Sequence, residues 1–181
     1  MKTYISLLRS INVGGYRIVK METLKQIYTA LGLWNVHTYL QSGNVVFQST
    51  EVSSKILEDI ISTKLLEVLG WTIPIIIIDI EELEELFANN PFVRNPSISI
   101  DFLHVTLLAD LKVNDLPPIV IDNFLPDNFF LQLKYVYLHC PNGYGNTKLT
   151  NSFWENKLQT QCTTRNWKTI TQLVKISQSL Q

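Results

Sequence analysis

The chain has 181 residues, 46% of them hydrophobic, and its 15 basic and 16 acidic side chains leave a formal charge of −1. That balance excludes a polybasic, histone-like protein and an acidic disordered one, and seven Gly and seven Pro exclude a collagen-like or Pro-rich repeat. A chain of this length can bury roughly 70% of its unfolded surface, so it needs neither a metal nor a disulfide as a staple. The two cysteines, Cys140 and Cys162, have no leader pattern ahead of them, which predicts a reducing, cytoplasmic setting. The longest apolar run, Ile75 to Ile78, is far short of the ~20 residues of a membrane helix.

In chain order, Thr3 to Ile11 reads as a buried strand, broken by Asn12-Val13-Gly14-Gly15. Met21, Leu24, Ile27, Tyr28 and Leu31 recur at helical spacing, and Gly32 stops that helix. Trp34 to Leu40 alternates as a strand, Ser42-Gly43 signals a two-residue hairpin, and Asn44 to Gln48 returns. Ser53 or Ser54 caps a second helix, whose apolar stripe runs through Ile56, Leu57, Ile60, Ile61, Leu65 and Leu69 to a stop at Gly70. Thr72 to Ile78 is nearly all apolar, as expected at a sheet centre.

The order β-α-β-β-α-β over residues 1–78 is the split arrangement of ferredoxin-like folds. Residues 79–181 form a second α/β half. Asp79 and Glu82 make a capping box for an acidic helix that turns Leu83, Leu86 and Phe87 inward. Ser99 to Ala109 follows as a strand, then a short helix within Asp115 to Asn123, strands Asn128 to Lys134 and Tyr135 to Cys140, and a helix from Asn146 to Leu158. A last helix begins near Asn166 and carries Trp167, Ile170, Leu173 and Val174. This half partly repeats the first, as a degenerate duplication would. The expected fold class is α+β, with the two halves packed as one compact unit because no Ser/Gly-rich linker parts them.

The near-zero charge is unevenly spread: +4 over residues 1–50, −10 over 51–127 and +5 over 128–181. Polar groups at the ends of elements concentrate in the basic parts. Arg9, Asn12, Gly14, Gly15 and Lys20 occupy a strand-to-helix connection, where exposed amides beside a helix start can cradle an anion. Ser42 and Asn44 flank the hairpin glycine; Asn142 and Lys148 bracket Gly143 and Gly145 ahead of a helix. Thr164, Arg165 and Asn166 stand at a helix start, where a cation opposes the dipole and calls for an anionic partner. His37, His104 and His139 fall in strand patterns and read as half-buried structural residues. No spacing suggests a metal site, a Rossmann or P-loop fingerprint, or a Ser-His-Asp order, so neither a metal nor a cofactor is expected.

Several longer runs are distinctive together: Leu8-Arg9-Ser10-Ile11-Asn12-Val13-Gly14-Gly15, Lys20-Met21, Tyr39 to Phe47, Pro141-Asn142-Gly143-Tyr144-Gly145 and Thr163-Thr164-Arg165-Asn166-Trp167. They resemble the bacterial domain-of-unknown-function family 1697 over nearly the whole chain, Tyr4 to Leu173. Thr147 stands where the family pattern has serine. The resemblance implies a cytoplasmic α+β protein and supplies no catalytic residues. From the residues themselves, the leading expectation is a small-molecule or nucleotide-handling protein with a phosphate or carboxylate site. That site would be drawn from both basic ends: Arg9, Asn12, Gly14, Gly15, Lys20, Ser42, Asn44, Asn142, Lys148, Thr164, Arg165 and Asn166. The alternatives are a single-stranded RNA-binding module, which lacks the stacking rings of an RNA-recognition sheet, and a protein-interaction adaptor. Whether a reaction is catalysed stays open at this point.

Overall fold

A computed structural model describes residues 1–110 and 121–181. The fold is α+β, with two antiparallel four-stranded sheets. The chain divides into two units, Met1–Glu85 with Gln172–Gln181, and Leu86–Thr171.

The first unit contains β1 (Lys2–Leu8), α1 (Met21–Ala30), β2 (Trp34–Tyr39), β3 (Asn44–Ser49), α2 (Ser54–Leu69) and β4 (Ile75–Asp79). The sheet order is β2-β3-β1-β4. Tyr4, Leu8, Val45, Phe47, Ile75 and Ile77 bury one sheet face against Leu24, Ile27 and Tyr28 of α1 and Leu57, Ile61 and Leu65 of α2. Within this unit's interior the Ser6 and Tyr28 hydroxyls hydrogen-bond at 2.7 Å. Ser53 caps α2 by accepting from the Ile56 amide, and Gly70 ends it at φ +83.

Several expectations need correction. Strand β1 ends at Leu8, because Ser10 and Asn12 adopt left-handed φ of 59° and 55°. The hairpin loop has four residues, Leu40 to Gly43, since Tyr39 pairs with Asn44. Ile56 and Ile60 are exposed, so the α2 stripe is narrower than the sequence suggests. Strand β4 lies at the end of the sheet, although Ile75 to Ile78 are all buried. Its apolar run therefore reflects burial of both faces, not a central position.

Helix α3 (Ile80–Ala88) begins at the expected capping box: the Glu82 amide donates to Asp79 Oδ1 at 2.9 Å, and the Asp79 amide to Glu82 Oε2 at 3.3 Å. The second unit then has β5 (Leu103–Leu108), β6 (Asn128–Gln132), β7 (Tyr135–His139), α4 (Asn151–Leu158) and β8 (Cys162–Asn166), with α5 (Trp167–Gln178) leading back into the first unit. The sheet order is β6-β7-β5-β8. Counted within its own unit, each sheet thus runs second, third, first, fourth. Leu108, Val136, Leu138, Cys140 and Cys162 pack with Leu149 and Trp154 to form this unit's core.

Strand β8 has no counterpart in the sequence expectations, because Cys-Thr-Thr-Arg-Asn shows no apolar alternation. Helix α4 starts later than the expected Asn146; Thr150 is the cap, accepting from the Phe153 amide. Strand β5 is shorter than Ser99 to Ala109, because Ile100–Phe102 forms a 3-10 turn. The helix expected within Asp115 to Asn123 lies mainly outside the described residues; Ile121–Phe124 is a 3-10 turn.

Candidate functional site

In the first unit, the connection from β1 to α1 folds into a closed finger. The Asn12 amide donates to the Arg17 carbonyl at 3.2 Å, and the Tyr16 amide to the Val13 carbonyl at 3.1 Å. The Asn12 side chain is the clasp. Its Nδ2 donates to the Val19 carbonyl at 3.0 Å and to the Gln41 carbonyl at 2.8 Å, while its Oδ1 accepts from the Val19 amide at 2.8 Å. One amide therefore closes the finger and ties it to the β2–β3 turn. Gly43 completes the junction: its carbonyl accepts from the Leu8 amide at 2.8 Å. A Cβ at Gly43 would lie 2.8 Å from both Leu8 Cβ and Ile11 Cδ1, and its φ is +77. Asn44, fully buried, donates from Nδ2 to the Tyr39 carbonyl and to Ser42 Oγ.

The structure thus brings Asn12, Ser42 and Asn44 into one junction. Gly14 and Gly15 form the exposed finger tip, Arg9 leaves the end of β1 half-buried, and Lys20 stands exposed at the N-cap of α1 without a side-chain capping bond. Left-handed backbone is concentrated here. Of seven non-glycine residues with positive φ among the described residues, Ser10, Asn12, Arg17 and Leu40 lie in these two connections, with Gly14, Gly15 and Gly43 beside them. Such conformations cost of order 1–3 kcal/mol each and cluster at ligand clamps. Val13, Tyr16 and Ile18 are exposed on this finger, with no sequence signal that marks them.

The expected residues of the second unit have other partners. Asn166 Oδ1 accepts from the Thr169 amide at 2.8 Å and caps α5. Thr164 Oγ1 lies 2.7 Å from Thr106 Oγ1 and donates to Asn151 Oδ1 at 2.6 Å. Arg165 is on β8 opposite Val105, not at a helix start, and donates through Nη1 to Thr163 Oγ1 at 2.8 Å and the Thr164 carbonyl at 2.9 Å. Burial pulls its guanidinium down to about 10, which leaves it charged at neutral pH. Thr164 and Arg165 are successive strand residues and point to opposite sheet faces, so their side chains do not converge. Asn142 is exposed, its carbonyl accepting from Asn146 Nδ2 at 2.7 Å, and Lys148 is exposed ahead of α4.

The histidines are unlike one another. His37 is exposed, contrary to the sequence reading, whereas His104 is buried and stacks on Tyr144 with ring centroids 4.8 Å apart. Burial lowers the His104 pKa, against an opposing hydrogen bond with the Phe102 backbone, so the neutral ring is favoured. Burial also pushes the Cys140 thiol up to about 11, so it is an inert core thiol. Among the described residues, no group of three or more His, Cys, Asp or Glu is arranged to hold a metal ion.

A family model described as a protein of unknown function, DUF1697, matches residues 1–137. The chain belongs to the DUF1697 family. The match covers the finger and its junction and ends before Asn142 and the β8 residues. The conserved bacterial protein SP0830 from Streptococcus pneumoniae is a similar solved structure. It shares 22% sequence identity and a TM-score of 0.75, over 97% of this chain and 98% of that one. The likeness establishes the fold of this family member. No curated protein matches it. No helix among the described residues is long and apolar enough to cross a membrane.

Proposed function

We propose that the β1–α1 finger and the β2–β3 turn bind a small anion, a phosphate or a carboxylate. We also assign the first unit to the ferredoxin-like arrangement on its strand order. The supporting observation is the left-handed backbone gathered around the Asn12 clasp. Left-handed φ at residues 10, 12 and 14, alternating with ordinary residues, is a pattern that turns successive amides to one side, as in anion-holding nests. Among the described residues, the amides of Ser10, Gly14 and Gly15 form no hydrogen bond. Arg9 would supply a planar fork to the anion and Lys20 a point charge, beside the positive end of the α1 dipole. Ser42 and Asn44 hold the turn on which the finger rests.

A ligand that binds only the folded state raises the melting temperature, so phosphate, nucleotides and dicarboxylates up to about 10 mM are the probes. Phosphate is expected to shift the amide NMR signals of Gly14 and Gly15, and Arg9→Ala and Lys20→Ala to weaken the effect. Signals unmoved by every probe would overturn the reading. The exposed Tyr16 beside Arg17 favours a second one, single-stranded nucleic acid stacked on the ring. That reading requires salt-dependent binding lost in Tyr16→Ala, an outcome the small-anion site does not require.

A further inference from the structure

Each sheet has two edge strands, and among the described residues three of the four carry a device that blocks pairing with another chain. Strand β2 is irregular between Trp34 and His37, with Asn35 at φ 48°. On β4 the Ile77 amide donates to Glu58 Oε1 at 3.2 Å, and on β8 the Cys162 amide donates to Glu155 Oε1 at 3.3 Å. Bulges and covering side chains are how proteins blunt such edges. Strand β6, Asn-Phe-Phe-Leu-Gln, has a regular register with β7 and neither charge nor proline.

The open groups of β6 can be assigned. Gln132 and Tyr135 flank a two-residue turn, so they form a hydrogen-bonded pair, and parity makes Phe130 and Tyr137 the next. The amides and carbonyls of Phe129 and Leu131 therefore point away from β7. The Phe129 amide confirms the direction, since its partner is the exposed Asn128 Oδ1 at 2.8 Å. Among the described residues, Leu131 has no partner for its outward amide or carbonyl.

We propose that β6 pairs antiparallel with β6 of a second copy of this chain, about a two-fold axis through Phe130. This register sets Phe129 against Leu131 of the other copy, twice, and uses all the outward groups in four hydrogen bonds. It is the self-complementary solution required of a closed dimer. An uncharged strand meets itself without like-charge repulsion. Phe130, 47% exposed, faces its own counterpart across the axis, and exposed Leu133 lies toward the other copy's Leu125–Asp127 end. Two five-residue strands cover less than the ~1,200–2,000 Å² of a standard interface, and the Asn128 side chain competes for one donor, so the dimer is weak.

Sedimentation equilibrium is expected to show a monomer at about 10 µM and a growing dimer fraction toward about 1 mM. Phe130→Lys, which sets two charges together on the axis at an exposed position, should abolish it while leaving the circular dichroism spectrum unchanged. Phe130→Cys tests the register. The two Cα atoms would be about 4.5 Å apart, within disulfide reach. Diamide, taking up two electrons and two protons, should convert that variant to a covalent dimer. Leu133→Cys, whose two copies would be separated by about 20 Å, should stay monomeric. A wild-type monomer at about 1 mM, a dimer that survives Phe130→Lys, or cross-linking as fast at position 133 as at 130 would each overturn the proposal.

Discussion

The two sheets share one strand order and are filled differently. In the first, buried polar bonds are scattered, Ser6 to Tyr28 and Gln48 to Thr3, and the unusual backbone sits in two connections clasped by Asn12. In the second, a polar chain runs from Thr106 through Thr164 to Asn151 across β5, β8 and α4, and aromatic rings pack around Trp154 at the edge of the core. There Phe124, Phe129, Phe153 and Trp154 meet edge to face at centroid distances of 5.0 to 6.2 Å. One topology thus tolerates both solutions, because a sheet demands burial and hydrogen-bond satisfaction rather than particular residues.

The sharpest contrast is between two glycines. Gly43→Ala forces a methyl group into Leu8 and Ile11 at a left-handed position and should cost about 3 kcal/mol or more. Gly143→Ala meets nothing within 4 Å and should cost only the backbone strain, about 1–2 kcal/mol at φ +85. Urea denaturation of the two variants measures both; equal losses would mean that the β1–β3 junction relaxes freely.

A smaller difference is expected at the helix caps. Asp79→Ala removes a capping-box acceptor and the Lys2 partner at 2.7 Å, and should cost about 1–2 kcal/mol. Thr150→Ala removes a single 3.2 Å cap bond on the short α4 and should cost about 1 kcal/mol or less. Thermal melts showing the reverse order would place the weight on α4 instead.

The smallest effects are those of pH, and they separate the units. His104 is buried and its pKa lies below the ordinary 6.5. The unfolded chain therefore binds the proton first, and stability contributed by the neutral ring declines as pH falls below about 6.5. Burial works to raise Asp79, but Lys2 and the Glu82 amide hold it below its ordinary 3.8. Its contribution persists to about pH 4 and is lost only in stronger acid. Hydrogen exchange at pH 7, 5.5 and 4 should show protection falling first around β5. His104→Gln should remove that early loss, and an unchanged profile in this variant would refute the assignment.

Much of the first unit was legible because Met21 to Leu31 and Ser53 to Gly70 carry clean helical spacing with a cap or a stop at their ends. The acidic helix was legible from Asp79 and Glu82. Strand β8 was not, because its Thr163, Thr164 and Arg165 are held by polar side-chain bonds, within the strand and to Thr106, rather than by apolar alternation. The glycines and Asn12 could be picked out as unusual, but the clasp between residues 12 and 41 is a tertiary fact with no local signature. The exposure of Tyr16 and of Phe130 was equally invisible, since residue type alone does not say which side of a ring or strand remains uncovered.

Gln48 of β3 donates to Thr3 Oγ1 and to the Leu180 carbonyl, and residues 172–181 belong to the first unit. A unit with its first strand at residue 2 therefore cannot be completed until residues 172–181 have been synthesised. Leu86–Thr171, continuous in sequence, has all its parts available earlier. On the ribosome, residues 1–85 emerge ahead of Leu86–Thr171 and yet must wait, with the Gln48 amide kept open until Leu180 arrives.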